Sequence, residues 1–298
     1  MEFRSVFIAN PAHLSVRKNQ LVIRQAQEVT IPMEDISSLM IESRAVDITA
    51  AALQELADNG VTVYVCDSTH MPAALVLPMN RNCRQLSLLK HQIAMTQPVK
   101  KRVWQAVVSA KIRNQALCLE LLSRPGAEDL HFLSREVHSG DPDNYEATAA
   151  STYFPSLFGK EFTRGEDCLI NSCLNYGYAI LRGAVARNLV TRGIEPCLGI
   201  FHHNALNQFN LADDLMEPYR PLVDLFTATF VREDGDLSPK LKQQLFNLSN
   251  YVVQQGGRKY KAITAVGRTA DSFCRILKGE SSQPELPLLI PLQEYHYE

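Results

Sequence analysis

Residues 61–93 read VTVYVCDSTHMPAALVLPMNRNCRQLSLLKHQI. Val61 to Cys66 is a nearly continuous apolar run, short and rich in β-branched residues, as a buried strand requires. Ala73 to Leu77, closed by Pro78, predicts a second strand. From about Arg81 the period changes: Leu86, Leu89 and Ile93 recur at helical spacing. The change places a boundary near Pro78 to Arg81, with strands before it and helices after.

Toward the N-terminus, Val6 to Ala9, Leu14 to Arg17 and Leu21 to Arg24 are short β-prone runs, and Lys18-Asn19-Gln20 supplies turn chemistry for a hairpin. Glu28 to Pro32 and Ser38 to Glu42 predict a further strand pair. Asp47-Ile48-Thr49 offers an N-cap for a short amphipathic helix ending at Asn59-Gly60.

Toward the C-terminus, Val103, Val107, Ala110, Ala116, Leu119 and Leu122 continue the helical period, with Pro98 interrupting one helix or separating two. Arg124-Pro125-Gly126 and Ser139-Gly140-Asp141-Pro142 mark loops. Further helices are predicted over Tyr145 to Phe158, Cys168 to Thr191, Ala212 to Phe230, Pro239 to Gln255 and Ala262 to Lys278, with an extended Pro-spaced tail from Ser281. The expected fold is α+β: a small β-rich N-terminal domain, residues 1–79, followed by a larger all-helical C-terminal domain, residues 80–298, which carries the chemistry.

With 298 residues, 46% of them hydrophobic, the chain can bury a sizeable core. No signal-peptide pattern opens it, and no apolar run approaches the ~20 residues needed to cross a bilayer. A cytoplasmic protein with no membrane partner is expected. The seven cysteines show no CxxC pair or metal-finger spacing, so they are expected as reduced core residues. A net charge of −2 excludes a chain that is basic throughout, yet leaves room for a basic face.

Three segments of the helical part bring metal-ligand side chains into apolar surroundings. In Asp141-Pro142-Asp143-Asn144-Tyr145-Glu146-Ala147-Thr148-Ala149-Ala150, Asp143 or Asn144 can cap a helix and Glu146 lies in its first turn among small residues. Alone, Glu146 reads as a complement to the helix dipole. Cys197-Leu198-Gly199-Ile200-Phe201-His202-His203-Asn204 leads into a histidine pair whose members point in different directions, so one of them is spare. In Asn210-Leu211-Ala212-Asp213-Asp214-Leu215-Met216-Glu217-Pro218-Tyr219-Arg220, one of the two aspartates shares a helical face with Glu217, and Arg220 follows three residues later. Read alone, these acids form a solvated face. Beside Leu211, Leu215 and Met216 they need compensation, which a divalent metal or Arg220 provides.

Together these segments resemble the motifs of the CRISPR-associated integrase and endonuclease of the first Cas family, the near-universal adaptation subunit. The resemblance spans nearly the whole chain and implies a β-rich dimerisation domain ahead of a helical domain with a Glu–His–acid metal site. Asn144-Tyr145-Glu146-Ala147 is similar to the first motif, Leu198-Gly199-Ile200-Phe201-His202 to the second and Asp214-Leu215-Met216-Glu217-Pro218-Tyr219-Arg220 to the third. The resemblance thus implies Glu146, His202 and Glu217 as catalytic metal ligands, Asp214 as a supporting acid and Arg220 near DNA phosphates. Gly140-Asp141-Pro142-Asp143 and Tyr153-Phe154-Pro155 look most like the type II branch.

What the resemblance implies chemically is spacer insertion: the 3′-hydroxyl of an incoming fragment attacks a phosphodiester at a repeat end, with Mg²⁺ or Mn²⁺ as cofactor. Double-stranded DNA, both protospacer and leader-repeat, would be gripped by Lys and Arg. Candidate clusters are Arg81 and Arg84; Lys100, Lys101 and Arg102; Lys111 and Arg113; and Arg258, Lys259 and Lys261 with Arg268. The resemblance also implies a homodimer, a heterocomplex with the small second adaptation subunit and, in type II systems, the large RNA-guided effector nuclease. The residues by themselves also fit a helical hydrolase of small phosphoesters, or a DNA-binding scaffold whose acids only form salt bridges.

Overall fold

The computed structural model describes residues 4–77, 85–231 and 235–294. The N-terminal part holds strands β1 (Arg4–Ile8), β2 (Ala12–Arg17), β3 (Gln20–Arg24), β4 (Glu28–Pro32), β5 (Ile36–Ile41) and β6 (Val46–Ile48), then helix α1 (Ala50–Asp58) and strands β7 (Thr62–Cys66) and β8 (Pro72–Val76). One sheet has the order β1-β5-β7-β8, parallel except at β8, and the other the order β4-β3-β2-β6. The β2–β3 turn is the expected hairpin, with Lys18 and Asn19 at φ 50° and 59°, the left-handed pair that a tight two-residue turn uses. Thr49 caps α1 by accepting from the Ala52 amide at 3.2 Å, while Asp47 lies on β6, which the sequence reading does not contain.

The apolar run at Val61 to Cys66 is explained by where β5 and β7 sit. Leu39, Ile41 and Val63 enter a core shared with Leu14, Leu21 and Ile23 of the second sheet. Their neighbours Met40, Tyr64 and Cys66 point to the opposite side, into the core of the helical part. Alternation along a strand then puts apolar residues on both faces. Tyr64 reaches far enough to donate a hydrogen bond to the Ile180 carbonyl at 2.9 Å, and Gly183 makes the approach possible: a Cβ there would lie 2.3 Å from the Tyr64 ring.

The helical part comprises α2 (Gln85–Ile93), α3 (Gln97–Leu121), α4 (Ala127–Glu136), α5 (Tyr145–Phe158), α6 (Leu169–Val190), α7 (Asn210–Met216), α8 (Arg220–Phe230), α9 (Pro239–Asn247) and α10 (Ala262–Leu277). Pro98 falls in the first turn of α3, so it separates two helices. The helix α4 lies between the two predicted loops and is additional to the sequence reading.

Three expectations need correction. The C-terminal part is not all-helical: β9 (Val252–Gln255) and β10 (Arg258–Lys261) form an antiparallel hairpin where a helix to Gln255 was expected. Val252-Val253 before Gly256-Gly257, at φ 58° and 77°, favours a two-residue turn over a helix. The predicted helix over Ala212 to Phe230 is two helices joined by a 3₁₀ turn, Glu217–Tyr219, because Pro218 and Pro221 each lack an amide donor. Finally, Cys197 is exposed, whereas Cys66, Cys118 and Cys173 are buried as expected; Cys83 lies outside the described residues. So do the expected boundary at 79/80, Arg81 and Arg84. Among the described residues, no helix is long and apolar enough to cross a membrane.

Candidate metal centre

Glu146 stands in the first turn of α5, where Asn144 holds the N-cap position without a capping bond from its side chain. Asp141 receives the amides of Tyr145 at 2.9 Å and Glu146 at 3.0 Å on its two carboxylate oxygens. Asp141 and Asn144 both take left-handed backbone, at φ 49° and 53°, which Asp and Asn tolerate better than bulkier residues. The loop thus aims Glu146 at α3.

Glu217 opens the 3₁₀ turn and is buried. Between it and Glu146 lies Lys111 of α3. Its ammonium donates to Glu146 Oε1 at 2.7 Å and sits 2.6 Å from Glu217 Oε2, while Arg220 Nε lies 2.9 Å from Glu217 Oε1. Neither contact to Glu217 has hydrogen-bond geometry, so the attraction there is mainly ionic. Burial alone would raise the Glu217 carboxyl, yet the charges of Lys111, Arg220 and His202 hold it below the usual carboxylate range. For Lys111, burial works against the charge, and Glu217 and Glu146 outweigh it, raising the ammonium above the usual lysine range. Arg220 also stacks over the Tyr178 ring, with Cζ 4.5 Å from the centroid.

His202 enters on the connection between α6 and α7. Its Nδ1 lies 2.6 Å from Asp214 Oδ1, and the fully buried Asp214 carboxylate also receives the backbone amides of Ile200, Phe201 and His202 at 2.5, 3.0 and 3.2 Å. A carboxylate only accepts, so Nδ1 carries the proton and Nε2 is the nitrogen left for a ligand. The loop wraps this carboxylate so tightly that a Cβ at Gly199 would meet the His202 carbonyl at 2.1 Å. The Asp214 hydrogen bond, opposed by partial burial and helped by the charges of Asp214, Glu217 and Glu146, raises the imidazole above its ordinary range. Trp104 stacks on Phe201, centroids 4.3 Å apart, and meets the His202 ring edge-on at 5.8 Å.

Of the two aspartates only Asp214 joins this cluster. Asp213 is taken by Arg182 at 2.6 Å and Asn207 at 2.7 Å. Lys111 therefore joins Glu146 to Glu217, and His202, held by Asp214, lies near enough to feel the charges of both glutamates. Among the described residues, no three His, Cys, Asp or Glu side chains already form an ion's coordination array. The cation between the two carboxylates here is the Lys111 ammonium. The donor set suits a hard or borderline divalent ion: two carboxylates and an imidazole nitrogen fixed by its own acceptor. Lys111 is the residue that sequence reasoning placed only in a surface cluster. Its signal was a lysine on the buried face of α3, spaced helically from Val107, Val108 and Gln115.

Nine residues separate Arg102 from Lys111, two and a half helical turns by ~3.6 residues per turn, so Arg102 points away from the centre. It lines a cleft of about 510 Å³ with Arg113 and the Gly256-Gly257 turn. Lys101, Arg258 and Lys259 are exposed and Lys100 half-buried. Lys261, expected on a DNA-binding surface, is instead buried where α10 begins, because the hairpin folds it inward.

The sequence model of the family described as CRISPR associated protein Cas1 matches residues 6–240. Over 305 aligned residues the chain is 41% identical to the CRISPR-associated endonuclease Cas1 of Neisseria meningitidis serogroup C (strain 8013), covering 100% of both proteins. The fold is shared with a casposase bound to integration product, at a TM-score of 0.75 and 20% identity over 94% of this chain and 92% of that one. It is also shared with a Cas1 protein from Thermotoga maritima, at a TM-score of 0.74 and 16% identity over 93% and 98%. A family match over most of the length and a 41% identical relative over all of it lead to one conclusion: the chain belongs to the Cas1 family of CRISPR-associated proteins.

Proposed function

We propose that this protein is a metal-dependent DNA endonuclease and strand transferase that inserts new spacers into a CRISPR array, with Glu146, His202 and Glu217 as its metal ligands. The observation that carries the reading is the pair of carboxylates, one of them buried, drawn onto a single cation at 2.6 and 2.7 Å beside an imidazole whose Nδ1 is held by Asp214. When bound, Mg²⁺ or Mn²⁺ supplies charge stabilisation for the phosphate under attack and favours the alkoxide of the attacking 3′-hydroxyl.

The protein's own groups do the rest. Asp214 fixes the tautomer and direction of His202. Lys111 keeps two mutually repelling carboxylates together, and Arg220, held by Glu217, presents positive charge to a phosphate approaching the centre. DNA itself is gripped by Lys100, Lys101, Arg102, Arg258 and Lys259, without regard to sequence. A homodimer, joined by the small second adaptation subunit and, in a type II system, by the effector nuclease, completes the proposed assembly in the cytoplasm.

The test is integration of a short duplex into a supercoiled repeat plasmid, followed on a gel with and without EDTA. Insertion that requires Mg²⁺ or Mn²⁺ and is lost in Glu146→Ala, His202→Ala and Glu217→Ala supports the reading. Turnover of small phosphoesters without dependence on DNA length would favour a hydrolase. DNA binding indifferent to chelator, with no strand transfer by the parent, would favour a scaffold.

A further inference from the structure

The turn that carries Glu217 is gripped at all three of its residues, and two of the grips lead to one distant segment. Asn114 lies three residues beyond Lys111 on α3, hence on the same side of the helix. Lys111 takes the Glu217 side chain, while the Asn114 amide nitrogen donates to the Pro218 carbonyl at 2.7 Å. The same nitrogen donates to the Pro287 carbonyl at 3.0 Å, and Asn114 Oδ1 accepts from the Leu289 amide at 3.0 Å. Asn114 is 1% exposed, so none of these groups has water as an alternative.

The second route runs through Tyr219. Its hydroxyl lies 2.8 Å from Thr269 Oγ1, which donates its one proton to the Glu285 carbonyl at 2.7 Å. Tyr219 must therefore be the donor of that pair. Glu285 is itself pinned, with Arg268 at 2.8 Å and Arg275 at 2.5 Å on its carboxylate and its amide on Ser272 Oγ at 2.8 Å. Leu288 exchanges both backbone hydrogen bonds with Gln254 of β9. Pro284 and Pro287 stiffen this extended segment by fixing φ.

Residues 285–289 lie outside the 6–240 span matched by the family model. We infer that this segment is a positioning strap: it holds the Glu217 turn through Asn114 and Thr269, so that the carboxylate meets Glu146 and His202 in register. This rests on the reading of Glu217 as a metal ligand. The strap's own role is indirect, since neither Asn114 nor Thr269 touches the reacting atoms. Displacement of the turn by about 1 Å is enough to cost ~100-fold in rate.

The experiment uses the full-length chain with Asn114→Ser, Thr269→Val and both together, and Thr269→Ser, which keeps the hydroxyl. Turnover is taken per folded molecule, and Mn²⁺ alone is titrated into each protein by calorimetry. The expected result is a roughly tenfold fall in kcat for Asn114→Ser and for Thr269→Val and about 100-fold for the pair, with KM for DNA within twofold of the parent. Mn²⁺ affinity should weaken about five- to tenfold in the same variants, and Thr269→Ser should match the parent in both assays. Variants that merely melt earlier, with turnover per folded molecule and Mn²⁺ affinity unchanged, overturn the strap, as does an equal loss in Thr269→Ser and Thr269→Val. Failure of the parent to transfer strands would sink the function proposed above and leave the Mn²⁺ titration to decide the strap.

Discussion

Replacing Lys111 by methionine keeps the length and removes the charge from between two carboxylates. Glu217 is 3% exposed and Lys111 lies 2.6 Å from it, so the variant keeps a buried anion with only Arg220 and His202 to compensate. Breaking a buried pair from one side costs about 3–5 kcal/mol, and because Arg220 remains, the lower figure applies, about 3 kcal/mol. In the parent the Glu217 carboxyl is held low, so its stabilisation is present above the unfolded carboxylate range and is lost as pH falls through the folded value. In Lys111→Met burial dominates, the carboxyl rises, and the sign reverses: stability should grow as pH is lowered toward 5. A divalent ion should substitute for the missing ammonium. At 100 times its dissociation constant, Mn²⁺ adds about 2.7 kcal/mol to a protein with a vacant site. It adds less to the parent, where it must displace Lys111. Urea unfolding at pH 8 and pH 5.5, with and without Mn²⁺, reads all of this. A variant within 1 kcal/mol of the parent at pH 8, or one that gains no more from Mn²⁺ than the parent does, would refute the account of Lys111 as the cation between the carboxylates.

Asp214→Asn should free the His202 ring and weaken Mn²⁺ binding about 10–100-fold, measured by calorimetry on the folded protein. Asp224, fully buried beneath the hydroxyls of Tyr153 and Tyr178, is pushed up to about 6 by burial, so between its unfolded value and that figure the folded chain binds the extra proton and stability falls as pH rises. Asp224→Asn should flatten that slope in urea unfolding between pH 4 and pH 8; a slope unchanged or steeper in the variant would contradict it. Gly183→Ala forces a methyl group to 2.3 Å from the Tyr64 ring and should cost about 1–3 kcal/mol, visible as a lowered urea midpoint.

Much of the fold can be read from residue types alone. The continuous apolar run of β7, the Lys18-Asn19 turn and the long apolar period of α3 and α6 are local signals with local causes. The hairpin at Val252 to Lys261 is equally local, yet a helical period from Leu241 to Leu248 runs into it and masks the Gly-Gly punctuation. The break at Glu217 follows from Pro218 and Pro221, which a continuous count of acidic spacings overlooks. For the candidate centre, the sequence points to Glu146, His202, Asp214 and Glu217, because these residues sit in segments with a resemblance to draw on. It does not point to Lys111 as the common partner of Glu146 and Glu217, nor to Asp141 as the side chain that caps α5. The first depends on the approach of α3 to α5, which no spacing along the chain expresses; the second is local, but the left-handed turns at Asp141 and Asn144 move the capping carboxylate outside the usual N-cap position.

The two-sided burial of β5 and β7 has a consequence for biosynthesis. The first core needs nothing beyond about residue 76, so it can close early, but the outer surface formed by Met40, Tyr64 and Cys66 joins a core built by the helical part, with Tyr64 held by the Ile180 carbonyl and the Phe246 ring. At ribosomal speeds of about 5–20 residues per second, that greasy flank waits roughly 5–20 s for its cover. Nascent chains stalled within this window should be the species that holdase chaperones capture.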